Sequence, residues 1–349
     1  MGNAVCTTAS RSVVFSRAFF SCCRSGLALT DCCAAVSSGQ ALTYKTRNLA
    51  AQPRCRTAWL ILLSSILSWT ANFPAQAFAQ DAGQPAEIRL IVRGDDMGAA
   101  HAVNEACIRC YTKGIVRSVE VIVPSPWFLE AAAMLKQHPK LDVGIHLDLT
   151  SEWELVKWGP VSKQVPTLVD ENGHFYPTTR QKKDQPPNTG FLESGFRIDQ
   201  VERELRAQIE LGIKHLPNVT HLSAHMGTAV STPELRTLVQ QLAEQYQLPL
   251  ELNGAKRVRG WGGNRTSAQE KESRLIETLE NLKTGLWLFI EHPGLDSPEM
   301  RAIGHKGYEN VAADRSGVTH AFTSEKVKEV IKRRDIKLIS YADVLRSAK

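Results

Sequence analysis

Asp95 and Asp96 stand side by side at the end of the apolar run IRLIV (88–92), in the stretch Arg93-Gly94-Asp95-Asp96-Met97-Gly98. Two adjacent carboxylates there repel each other and lose hydration unless solvent, hydrogen bonds or a cation offsets the cost. The chemical reading is a cation site. The plain alternative is a solvated turn in which one Asp caps the next helix. His146 sets a polar ring into the apolar strand-like segment LDVGIHLDL (141–149), where a satisfied core histidine is the competing reading. His225 ends THLSAH (220–225), and His221, four residues back on the same strand face, is too far along to share one small ion easily. Cys107 and Cys110 have C-x-x-C spacing, but they fall in a helical pattern stopped by Gly114, with no second Cys or His pair, and read as helix packing.

These residues gain weight from the elements that must carry them. Runs of strand length recur at 88–92, 119–123, 141–149, 220–225, 248–252, 287–291 and 336–340, several apolar on both faces as buried parallel strands are. Helices with start signals alternate with them: Ser125-Pro126, Asp199 with Glu202, Thr232-Pro233 and Ser324. The pattern predicts an α/β fold, a (β/α) barrel of TIM type that is irregular or has about seven strand-helix units, with an open doubly wound sheet as the alternative. Asp96, His146 and His225 then lie at the C-terminal ends of three strands, which converge at a barrel mouth. A carboxylate with two imidazoles is a sound ligand set for a divalent metal, magnesium or zinc, with positions left open for water and substrate. Three stretches outside the alternation, roughly 153–198, 254–268 and 294–323, follow strands and would wall that site. Trp153, Trp158 and Trp261 fall in them, either to offer an aromatic face to a bound ring or to pack under their own loops.

Composition narrows the partners. Of the formal net charge of +6, seven Lys/Arg and one Asp lie in residues 1–80, which leaves 35 basic and 35 acidic groups in 81–349 and no electrostatic signature for nucleic acid. The run 58–71, preceded by Arg54 and Arg56 and followed by Ala75-Gln76-Ala77, has the layout of a secretory signal. It predicts a leader over 1–80, with an unexplained upstream extension, and a single catalytic domain over 81–349, periplasmic or secreted, with no stable membrane span after cleavage. Six of the eight cysteines would leave with that leader. A homo-oligomer stays open. No G-x-S-x-G elbow, Walker loop or Rossmann glycine fingerprint occurs, which moves serine-hydrolase, nucleotide and dinucleotide readings out of the front rank.

Taken together, RGDDMG (93–98) with VNEAC and KGIVRSV behind it, VGIHLDLT (143–150), VPTLVDENGHF (165–175), THLSAH (220–225) and EHPG (291–294) resemble the YdjC/ChbG-type carbohydrate deacetylases, including hopanoid-biosynthesis members, over about 87–345. The resemblance implies a (β/α) barrel and metal-dependent removal of an acetyl group from an N-acetylated sugar or oligosaccharide. It implies Asp96, His146 and His225 as metal ligands, Asp95 as catalytic base, and His292 as a motif histidine that protonates the departing amine, orients Asp95 or contacts the sugar. Two later histidines of the family pattern are absent after His225, and Arg93-Gly94 replaces the usual pair before the double Asp. Arg93 reads as a charge partner of the acids or a substrate contact, alongside Trp153 and Trp158. A metal-dependent esterase or phosphoesterase, and a carbohydrate-binding protein with a vestigial site, are the alternatives.

Overall fold

The computed structural model describes residues 87–347 apart from 251, 253 and 262. The leader-like run at 58–71, and the rest of residues 1–80, lie outside the described residues. The chain runs β1 (Ile88–Met97), α1 (His101–Thr112), β2 (Ser118–Val121), α2 (Phe128–Lys136) and β3 (Asp142–Leu147). A long loop holding one 3-10 turn leads to α3 (Ile198–His215), β4 (Val219–Ala224), α4 (Pro233–Tyr246) and β5 (Lys256–Arg257). The chain closes with α5 (Ala268–Asn281), β6 (Gly285–Glu291), α6 (Pro298–Arg301), α7 (Val311–Thr323), α8 (Glu325–Arg333), β7 (Lys337–Leu338) and α9 (Tyr341–Ser347).

Every strand pairing is parallel, in the order β4-β3-β2-β1-β6-β5. β6 covers one edge of β1 from Ile88 to Gly94, so β7 and β2 share the other edge, one at its start and one towards its end. This corrects the full barrel: the sheet curls into an open half-barrel, and among the described residues β4 and β5 form no ladder. The segment expected as a strand at 248–252 is not a strand among the described residues; it touches β4 through Leu222 N–H, which donates to the Pro249 carbonyl at 3.0 Å, and Pro249 has no N–H to give back.

Buried apolar side chains from β1, β2, β3 and the helices over them form one continuous core. Thr232 and Ser324 cap α4 and α8 as their sequences predict, each side chain accepting the N–H three residues on. Ser125 and Asp199 do not cap: α2 starts at Phe128, and Asp199 lies within the first turn of α3. The expected loop at 294–323 in fact contains α6 and α7. Cys107 and Cys110 are buried, free thiols in α1, and burial pushes Cys110 up to about 12, in keeping with packing rather than chemistry. Among the described residues no helix is long and apolar enough to cross a membrane.

Burial also acts on Glu291, the last residue of β6, whose carboxyl is pushed up to about 7. Below the ordinary carboxylate value, folded and unfolded chains both hold the proton and no penalty exists. As pH rises the unfolded chain ionises first, so the cost grows until about pH 7 and stays constant above it. Glu291→Gln should therefore add on the order of 2 kcal/mol near pH 8 and nothing near pH 4. Urea unfolding at the two pH values checks this, and an equal gain at both would refute it.

Candidate metal centre

Strict alternation along β1 would send Asp95 and Asp96 to opposite faces of the sheet. The pairing of β1 with β2 slips between Gly94 and Met97, and Asp96 adopts a left-handed backbone, φ 69°. The bulge and the turn aim both acids at one place. His146 Nε2 lies 3.7 Å from Asp95 Oδ2 and 3.7 Å from Asp96 Oδ1. His225, the first residue after β4, brings Nδ1 to 3.2 Å from the same Asp96 Oδ1. One ligand atom from each of Asp96, His146 and His225 falls within 4.8 Å of the others, and all three residues are buried.

The electrostatics suit a cation. Asp96 Oδ2 accepts a 2.7 Å bond from Arg315, whereas Oδ1 is buried without a hydrogen-bond partner. Burial alone would raise the Asp96 pKa; Arg315, with His292 and His225 behind it, reverses this and holds the carboxyl well below its usual range. Burial, then the neighbouring His225, lowers His146 to about 3, so its ring is neutral and keeps a lone pair. Burial pulls His225 down too, but Glu152, Asp96 and Asp148 outweigh it and hold a proton on the ring. Surroundings that favour a proton there would favour a metal cation in its place. An anionic oxygen set between two imidazoles, with no partner but the His225 ring at 3.2 Å, suits a divalent ion.

Each ring is held from behind. His225 Nε2 lies 3.1 Å from Glu152 Oε2, and His146 Nδ1 lies 2.6 Å from Ser223 Oγ. Arg93 grips Asp95 with two bonds, Nε to Oδ1 at 2.7 Å and Nη2 to Oδ2 at 2.8 Å, and gives Nη1 to the Tyr341 hydroxyl at 3.0 Å. It is thus the charge partner of Asp95, and it also lines a cavity with Asp95 and His146, so the substrate-contact alternative stands beside that role. His292, just past β6, lines the same cavity of about 640 Å³ as Asp95 and His146. Burial lowers its pKa despite the opposing pull of Asp96. A second cavity, of about 730 Å³, opens beside Glu152 and Lys182, and Met226 borders both.

The two tryptophans require a correction. Trp153 and Trp158 are 3% and 4% exposed and present no free face to a sugar. Trp153 lies between the His305 ring, stacked at 5.8 Å, and the Arg315 guanidinium at 5.2 Å, so it props the arginine that holds Asp96. Trp158 donates Nε1–H to Asp148 Oδ2 at 2.6 Å, and burial pushes Asp148 up to about 6. Trp261, also buried, packs edge-on against Phe289. Trp158→Phe removes one donor from a buried acid and should cost about 1–3 kcal/mol of stability. Its KM for saccharides should stay near the wild-type value; a large rise in KM with intact stability would restore the stacking role.

Sequence reasoning passed over Arg315, Glu152, Glu120 and Ser223. Arg315 lies in a helix read as loop and meets Asp96 across 219 positions, so no local signal marks it. Glu120 did carry one: it is the single charge in the run VEVIV.

A family model described as YdjC-like protein matches residues 89–333. The chain belongs to the YdjC-like family. Among its relatives in that family, the carbohydrate deacetylase of Brevibacillus brevis is 28% identical over 275 residues, covering 74% of this chain and all of that protein. The carbohydrate deacetylase of Thermus thermophilus is 33% identical over 239 residues, 61% of this chain and 80% of the relative. A solved structure from Enterococcus faecalis, of a protein assigned to cellobiose-phosphate cleavage, is 24% identical and superposes with a TM-score of 0.61 over 74% of this chain and 99% of its own. That likeness bears on the fold of this YdjC-like chain.

Proposed function

We propose that this YdjC-like protein is a metal-dependent deacetylase that removes the acetyl group from an N-acetylated sugar by amide hydrolysis. The observation that carries the reading is the buried triad of Asp96, His146 and His225, with Asp96 Oδ1 lacking any other partner and Asp95 beside it. Relatives named carbohydrate deacetylases, matched over all of the one and 80% of the other, support the substrate class. Asp96, His146 and His225 would hold the ion, zinc or magnesium. A bound divalent cation supplies Lewis acidity, which acidifies water and steadies negative charge developing on the acetyl oxygen.

The chain's own groups do the rest. Asp95, its carboxylate plane fixed by Arg93, accepts the proton of the attacking water as the new carbon–oxygen bond forms. As the carbon–nitrogen bond breaks, the proton taken up by Asp95 is returned to the sugar nitrogen. His292, which lines the same cavity and whose pKa burial lowers, relays it through its ring, and acetic acid and the free amine leave. Asp95, Asp96, His146 and His225 are buried, which strengthens the interactions among them. The leader-like run at 58–71 supports an exported enzyme.

The test is acetate release from N-acetylated saccharides by the purified chain, with metal content measured on the same sample. Stoichiometric metal, turnover abolished by chelation and restored by adding the ion back are expected. Turnover confined to O-acetyl or phosphoester substrates would transfer the same site to the esterase reading, and saccharide binding without any turnover would support the vestigial one.

A further inference from the structure

β2, β3 and β4 lie side by side, with Glu120 in register with Gly144 and Gly144 in register with His221. Glu120 and His221 are therefore two strands apart, close to 10 Å between backbones. Their side chains nevertheless meet, Glu120 Oε1 to His221 Nε2 at 2.5 Å, over the bare glycine between them. A Cβ on Gly144 would collide with both. The Ser223 hydroxyl donates to the other oxygen, Glu120 Oε2, and Arg93 Nη1 lies 3.5 Å from Oε1. Glu120 is fully buried, and so is His221. A buried carboxylate costs several kcal/mol before its partners offset it, and an apolar side chain would serve packing better.

The network has a direction. An ionised carboxylate only accepts, so the single proton of the Ser223 hydroxyl must point at Glu120. That hydroxyl oxygen can then only accept from His146, at 2.6 Å, which puts the imidazole proton on Nδ1. Nε2 keeps its lone pair and faces Asp96. The same glutamate steadies Arg93, which holds Asp95.

We propose that Glu120 is a positioning residue: through Ser223 it sets the tautomer and orientation of His146 for a metal ion, and through Arg93 it anchors Asp95. This rests on the metal-dependent reading above but can fail separately from it. The experiment titrates zinc into the metal-free full chain and measures kcat and KM at saturating zinc for the wild type, Glu120→Gln, Ser223→Ala and the double variant. Gln keeps the shape of Glu120 but can present an amide donor to Ser223, so the direction of the hydroxyl is no longer forced.

Each single variant should weaken zinc binding on the order of 10–100-fold. The double variant should lose little more than either single one, because both act along one path. The loss in turnover should appear in kcat, with KM near the wild-type value. Trp261→Phe, a buried change that packs against Phe289 and touches none of the three ligand residues, serves as a control for general loss of stability and should leave zinc affinity unchanged. Folded Glu120→Gln and Ser223→Ala proteins with wild-type zinc affinity and kcat would overturn the inference, and so would strictly additive losses. Where Glu120→Gln does not fold, Ser223→Ala decides, because it leaves the Glu120 to His221 pair intact. A wild type that binds zinc but releases no acetate removes the deacetylase reading, and the affinity series still decides this one.

Discussion

Asp95→Asn is expected to lower kcat about 10²–10⁴-fold, the usual contribution of a positioned general base, while zinc still binds stoichiometrically. The substitution keeps the size of the side chain and removes its capacity to take a proton. Asp95 lies beside the triad and is not one of its three members, so the three ligand groups are untouched. The change does disturb Arg93, because an amide can accept only one of the two bonds that the guanidinium now gives to the carboxylate. Arg93 retains Tyr341 and Glu120, so a stability loss of about 1–3 kcal/mol should accompany the loss of rate. Acetate release and zinc titration on the same preparation check both halves. Undiminished turnover would take the base role from Asp95.

Asp96→Ala should do more damage, of two separable kinds. It removes the oxygen that His146 and His225 share, so zinc should no longer bind measurably, and turnover should vanish. It also strands Arg315, a charge buried beside Trp153 whose bond to Asp96 Oδ2 would have no replacement. Breaking a buried pair in this way costs about 3–5 kcal/mol. Alanine tolerates the left-handed backbone at Asp96 less well than aspartate, which adds a smaller loss. The double variant Asp96→Ala/Arg315→Met should recover most of the stability, because no charge is left unpaired, and none of the zinc binding. Unfolding curves and zinc titrations on the single and double variants separate the two roles. Recovery of metal binding in the double variant would show that Asp96 is not a ligand.

Much of the site was legible in the chain. Asp95, Asp96, His146 and His225 stand out because polar groups at the ends of apolar strand-length runs are costly and call for a partner. The alternation of runs and capped helices was enough to predict strand ends converging on one face, and to name the α/β class. Thr232 and Ser324 marked their helices because capping acts over three residues.

What the folded molecule alone decided has a common cause: it depends on contacts between residues remote in the chain or on local backbone geometry that composition does not encode. Among the described residues no ladder joins β4 to β5, and the half-barrel stays open. The slip after Gly94, with the left-handed turn at Asp96, brings both acids to one side, where strand periodicity alone separates them. Trp153 looks free in a loop but is buried once Arg315 arrives from α7, and Trp158 is buried where the loop folds back onto Asp148, ten residues earlier. Periodicity and capping are short-range physics, readable along the chain; the partners that orient Asp96, His146 and His225 are set by packing across the sheet.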